Sequence, residues 1–249
     1  MLLESKVAVV YGAGGAIGGA VVRAFSREGA RVYLAGRTKS KLDTAAGEIR
    51  SVGGVADTAV IDALDERAVA DFVDGVIEQA GQIDISFNLI SYGDVQKPLV
   101  DLSVDDFLRP ITTAMRTHFL TTRAVAPHMI SRGSGVILAF GGSGPQTLPG
   151  LGGFKIALDA LEGLRRQWAI ELGQFGIRVV TLKTGGIPES LPKDFEGRDE
   201  ISAGIEGATL LKRAASLDDV GNVAAFVASD LARSITGTDV NISSGAIMD

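Results

Sequence analysis

Short runs of aliphatic and β-branched residues recur along the chain at near-regular intervals, each separated from the next by a longer amphipathic stretch. Residues 7–11, 31–35, 55–61, 83–90, 136–140 and 177–182 are largely apolar without strict alternation. This is the pattern of strands covered on both faces, and therefore of a parallel sheet. Between them, residues 16–28, 40–52, 66–80, 103–131 and 153–175 carry apolar positions at helical spacing. A helix over 217–232, opened by a capping box at Ser216 and Asp219, and a strand over 238–242 complete the series. Strands alternating with helices predict βαβ crossovers, hence an α/β, Rossmann-type, doubly wound sheet of seven parallel strands with helices on both faces. No repeat, low-complexity segment or composition break divides the chain, so one domain over 1–249 is expected. The one long irregular stretch, residues 184–210, is rich in Gly, Pro and charge and is expected to be a mobile substrate loop.

Composition narrows the function classes. A chain of 249 residues, 46% apolar, is long enough to bury a full core. The net charge of −6 and the scattering of its basic residues argue against a nucleic-acid partner. With no cysteine, and only His118 and His128 as imidazoles, there is little from which to build a metal centre. Both histidines are read as packing or surface residues. The apolar run at 7–11 is far too short to cross a bilayer, so a cytoplasmic protein with no membrane partner is expected.

The first stretch that carries chemistry is Gly12-Ala-Gly14-Gly15-Ala16-Ile17-Gly18, placed after the first strand and opening the first helix. Glycines there allow a tight turn and close approach of backbone to a pyrophosphate. The anion then sits at a helix N-terminus, where free N–H groups and the dipole favour it. The second strand ends at Gly36 and continues as Arg37-Thr38-Lys39, with no acidic residue to accept hydrogen bonds from a ribose 2′-hydroxyl. A base in that place can pair with a 2′-phosphate, which favours NADP(H) over NAD(H); a solvated basic turn is the alternative.

These motifs, with others along nearly the whole chain, resemble the short-chain dehydrogenase/reductase family. Tyr11, Gly12, Ala16 and Gly18 match its glycine motif with two substitutions, and Asn88-Leu-Ile-Ser91 keeps the first asparagine of the motif after the fourth strand. Residues 119–129 are similar to its long interface helix, and Gly176-Ile-Arg-Val179, Ile235-Thr-Gly237 and Ser244-Gly245 to later family segments. The resemblance implies that Asp62 touches the adenine, that Asn88 belongs to the cofactor site, and that Lys155 binds the nicotinamide ribose. It implies also that Gly185 belongs to the cofactor site, that Ile187 stands where a backbone group binds the carboxamide, and that a loop after Thr184 closes over the nicotinamide. The family's proton donor is a tyrosine four residues before the lysine. Here Leu151 stands in that place, and the tyrosines are Tyr11, Tyr33 and Tyr92 alone. The spacing of enoyl reductases, seven before the lysine, finds Leu148, and Ala114 takes the place of the family's asparagine. The family's serine falls within residues 139–144, where Ser143 is either that serine or displaced from it.

Three functions fit this sequence. The first is reduction of a small-molecule carbonyl or activated double bond by NADPH, with the proton from Lys155, Ser143, Tyr92 or water; losing a proton donor slows such a reaction by about 10²–10⁴-fold without forbidding it. The second is a catalytically degenerate NADP(H)-binding sensor or partner subunit. The third is a structural oligomer component, since residues 103–131 and 153–175 resemble the helices that join family tetramers. A homotetramer is expected, with a homodimer as the alternative.

Overall fold

The structure, a computed structural model, describes residues 1–141, 144 and 147–248. Seven strands form one parallel sheet: β1 (Val7–Tyr11), β2 (Arg31–Gly36), β3 (Ala56–Val60), β4 (Ile85–Asn88), β5 (Gly135–Phe140), β6 (Ile177–Lys183) and β7 (Asp239–Asn241). Their spatial order is β3-β2-β1-β4-β5-β6-β7. The chain reverses its winding between β1 and β4, where Tyr11 lies opposite Asn88. A crevice beyond the strand ends at such a reversal is where ligands bind in doubly wound sheets.

Helices cover both faces. On one lie α1 (Ala16–Arg27), α2 (Lys39–Ser51) and α7 (Leu217–Ala228); on the other lie α3 (Glu66–Ala80), α4 (Val104–Arg132) and α5 (Gly152–Leu172). The alternation inside β1 shows why the strands read as continuous apolar runs. Ala8 and Val10 pack towards Phe25 and Leu34 in one core, while Val9 and Tyr11 pack towards Val73 and Met129 in the other. Helix starts are fixed by side chains: Asp65 caps α3, Ser103 caps α4, and Ser216 and Asp219 form the expected capping box at α7. Among the described residues no helix is long and apolar enough to cross a membrane.

Two expectations need correction. The strand expected over 83–90 is shorter, Ile85–Asn88; just before it Asp84 still bonds through its backbone to Val7 and Val136, and its side chain accepts from Val7 N at 2.8 Å and from Arg132 Nη2 at 2.9 Å. The stretch 184–210 is not irregular throughout, since Arg198–Ala208 forms α6. This helix buries no residue and its N-cap Gly197 supplies no side-chain bond, so neither an apolar stripe nor a capping residue marks it. Its Ile205 lies over Gly186, where a β-carbon would come within 2.9 Å of Ile205 Cδ1.

Candidate active site

The glycine turn is built by steric necessity. Gly12 has φ of +80°, and a β-carbon there would lie 2.6 Å from the Leu89 carbonyl oxygen; one at Gly18 would lie 2.3 Å from the Gly12 oxygen. These two glycines therefore seat the turn against the β4 exit and the helix against the turn. Gly14 and Gly15 face outward into a cavity of about 310 Å³. Gly15 is the N-cap of α1, no side chain among the described residues caps that helix, and its first turn, which Ala16 and Ile17 open, carries no acidic residue. Its N–H groups are thus left for an outside anion.

Arg37, Thr38 and Asp62 line the same cavity as Gly12 and Gly14. Lys41, Ser91 and Thr113 join them, and no motif in the sequence marks Lys41 or Thr113. Of the bases that follow β2, Lys39 is turned to Asp43 at 2.5 Å. Arg37 and Lys41 face the cavity, and among the described residues neither bonds to another protein group. Two cations at one end, uncapped amides in the middle and Asp62 towards β3 form a donor set suited to a dinucleotide phosphate and adenosine. The group fits the residues present.

The remaining expected residues lie around this cavity or beyond it. The Asn88 side chain is engaged within the protein: Oδ1 accepts from Ile90 N at 3.0 Å and Nδ2 donates to Thr121 Oγ1 at 3.3 Å, which fixes the β4 exit. Lys155 projects from the first turn of α5, with its side chain mostly enclosed and Nζ 2.6 Å from Asp159 Oδ1. Leu151 is the N-cap residue of α5, half-buried, and the exposed Leu148 precedes it. Ser143 lies outside the described residues. Gly185 packs against the chain's C-terminal segment, where a β-carbon would lie 2.7 Å from Ala246 Cβ. The Ile187 side chain is in the core, and among the described residues its N–H has no acceptor.

Tyr92 does not face the cavity. It is 5% exposed and packed with Ala114 and Ala157 between α4 and α5. Its hydroxyl lies 3.1 Å from His118 Nε2 and donates to the Phe140 carbonyl at 3.2 Å. A phenol has one proton, and a carbonyl can only accept. The second bond is therefore His118 Nε2–H donating to the phenol oxygen. Burial pushes the Tyr92 pKa up, with the charge of Glu162 adding to it, and burial pushes that of His118 down to about 3. Tyr11, fully enclosed, is likewise shifted up by burial. The expectation of Tyr92 as a direct proton donor gains no support from its position, because its hydroxyl is turned to His118 and Phe140 and Tyr92 does not line the cavity.

A larger concavity, about 880 Å³, lies at the opposite edge of the sheet among the C-terminal ends of α1 and α2. Helix C-termini disfavour anions, and its Arg23 and Arg31 are taken up by Glu48 and Asp57. It therefore makes no second phosphate cradle.

Comparison with known proteins agrees with this geometry. Residues 12–246 match the family model described as enoyl-(acyl carrier protein) reductase. The chain belongs to the short-chain dehydrogenase/reductase family. It is 30% identical to the uncharacterized oxidoreductase YxbG of Bacillus subtilis, covering 98% of this chain and 91% of that protein. It is 31% identical to secoisolariciresinol dehydrogenase of Forsythia intermedia, covering 98% and 89%. Among solved structures, an NAD+-bound xylitol dehydrogenase superposes with a TM-score of 0.90 at 26% identity, covering 98% of this chain and all of that one. As a short-chain dehydrogenase/reductase, the protein is an oxidoreductase of a family that binds NAD(P)(H).

Proposed function

We propose that this protein is an NADP(H)-dependent oxidoreductase that reduces a small-molecule carbonyl or activated double bond without a tyrosine proton donor. The observation that carries the reading is the pairing of Arg37 and Lys41 on the cavity at the end of β2, where the segment Gly36-Arg37-Thr38-Lys39 that follows the strand carries no carboxylate. A bound NADPH would supply the hydride. The uncapped start of α1 would hold its pyrophosphate, Asp62 the adenosine end, Ile187 N–H the carboxamide, and Lys155 the nicotinamide ribose.

With Leu151 in the place of the phenol, the proton would come from Ser143, from Lys155 or from water. Incubation with NADPH and a panel of aldehydes, ketones and enones, followed by loss of reduced-nicotinamide absorbance, tests this. Turnover of at least one class is expected. A catalytically silent NADP(H)-binding subunit is the second reading, favoured by the enclosure of both Tyr11 and Tyr92; tight NADPH binding with no turnover across the panel would select it. The exposed apolar residues Phe119 on α4 and Ile156 and Ile170 on α5 support assembly of four copies through these helices.

A further inference from the structure

We infer that Tyr92 and His118 are a positioning pair for the nicotinamide half of the site, holding the β5 exit and the start of α5 in the register that presents Lys155. This rests on the cofactor reading above.

The geometry links three elements through one hydroxyl. Tyr92 follows Ser91, which lines the dinucleotide cavity, so its backbone belongs to the β4 exit. Its oxygen accepts from His118 on α4 and donates to Phe140, the last residue of β5. Beyond Phe140 the chain turns at Gly141, with φ of +97° and its N–H bonded to the Leu182 carbonyl of β6 at 2.9 Å. The β5 exit is thus held from β6 on one side and from Tyr92 on the other. The Tyr92 ring reaches α5 as well: the Phe154 ring lies 6.1 Å away at 46°, and Phe154 is the residue before Lys155. Ala114 on α4 and Ala157 on α5 are the small side chains that leave room for the ring.

Without the hydroxyl, His118 Nε2–H would remain buried and unpartnered, and the Phe140 carbonyl would lose its only side-chain donor among the described residues. Unmade bonds in an enclosed site are relieved by movement of the elements that carry them. The elements that carry or touch these groups, the β5 exit through the Phe140 carbonyl and the first turn of α5 through the Phe154 ring, border the nicotinamide side. Arg37, Lys41 and the glycine turn lie on the other side of β4 and share no contact with the hydroxyl.

Two ligands separate the halves. Adenosine 2′,5′-bisphosphate reports the phosphate and adenosine end alone, and NADPH reports the whole site. Calorimetric titration of the wild type, Tyr92→Phe, His118→Leu and His118→Gln with both ligands is the test. Expected are bisphosphate affinities within about twofold of wild type for all variants. NADPH should bind about tenfold more weakly to Tyr92→Phe and His118→Leu, as one lost hydrogen bond of ordinary strength would give. Recovery is expected in His118→Gln, whose amide nitrogen can donate to the phenol in place of Nε2. Unchanged NADPH affinity in Tyr92→Phe, or equal loss of both ligands, would overturn the inference while leaving the cofactor reading intact. A wild type that binds neither ligand would sink both.

Discussion

A β-carbon on Gly18 would stand 2.3 Å from the carbonyl oxygen of Gly12 and 2.8 Å from the α-carbon of Ala13. Both neighbours are backbone, so no side chain can move aside. Gly18→Ala is expected to destabilise the fold by at least about 1–3 kcal/mol, the usual cost of overpacking. Gly15→Ala differs, because its β-carbon would meet only the Gly12 oxygen at 3.4 Å and its φ is −81°. That variant should keep its stability within about 1 kcal/mol yet bind cofactor more weakly, since the methyl group projects where phosphate is to approach. Urea unfolding and cofactor titration of the two variants, side by side, separate these roles.

The buried imidazole of His118 makes stability depend on pH with a definite sign. Its folded pKa of about 3 lies below the ordinary 6.5, so between these values the unfolded chain binds a proton that the folded chain refuses. Its contribution is complete above about 6.5 and is lost as pH falls towards 3. The slope approaches about 1.4 kcal/mol per pH unit within that window. Unfolding free energies measured across pH 3–7 should show the wild-type curve falling more steeply on acidification than that of His118→Gln. Parallel curves would show that the imidazole is solvated.

Arg37 and Lys41 are exposed, so their pull on a 2′-phosphate is screened by salt. Replacing both by alanine is expected to weaken NADPH binding about 10–100-fold, the range for losing one or two charge-assisted bonds. NADH binding should change little. Raising ionic strength should imitate the substitution for NADPH alone. Equal loss of both dinucleotides would place the two bases on the pyrophosphate instead.

Glu162 and Arg165 form an ion pair within α5 at 3.0 Å, with both side chains nearly enclosed. Arg165→Leu leaves a buried carboxylate alone and should cost about 3–5 kcal/mol, whereas Glu162→Leu combined with Arg165→Leu should recover most of that loss. Thermal unfolding of the single and double variants checks the coupling.

The sheet was legible because its strands are covered on both faces, which writes them as runs: Val9 and Tyr11 meet one core, Ala8 and Val10 the other. The capping box at Ser216 and Asp219 was legible because it is local. α6 was not, because a helix that buries nothing leaves no stripe. The basic end of the cavity at the β2 exit is legible in outline but not in detail. The tripeptide Arg37-Thr38-Lys39 is visible as a string, but which bases face inward depends on the phase of α2. The Lys39–Asp43 spacing of four was the available sign that Lys39 would turn aside and leave the place to Lys41. The enclosure of Tyr92 depends on Ala114 and Ala157, small residues from two helices distant in the chain, and no local pattern encodes that meeting.

If Arg37 and Lys41 hold a 2′-phosphate, the protein discriminates between the two dinucleotides. Calorimetric titration of the purified protein with NADPH and with NADH at the same low ionic strength measures that discrimination. Saturable binding of NADPH at least about tenfold tighter than NADH is expected, a difference of about 1.4 kcal/mol. Equal affinities, or tighter NADH, would rule out a 2′-phosphate site at these two bases.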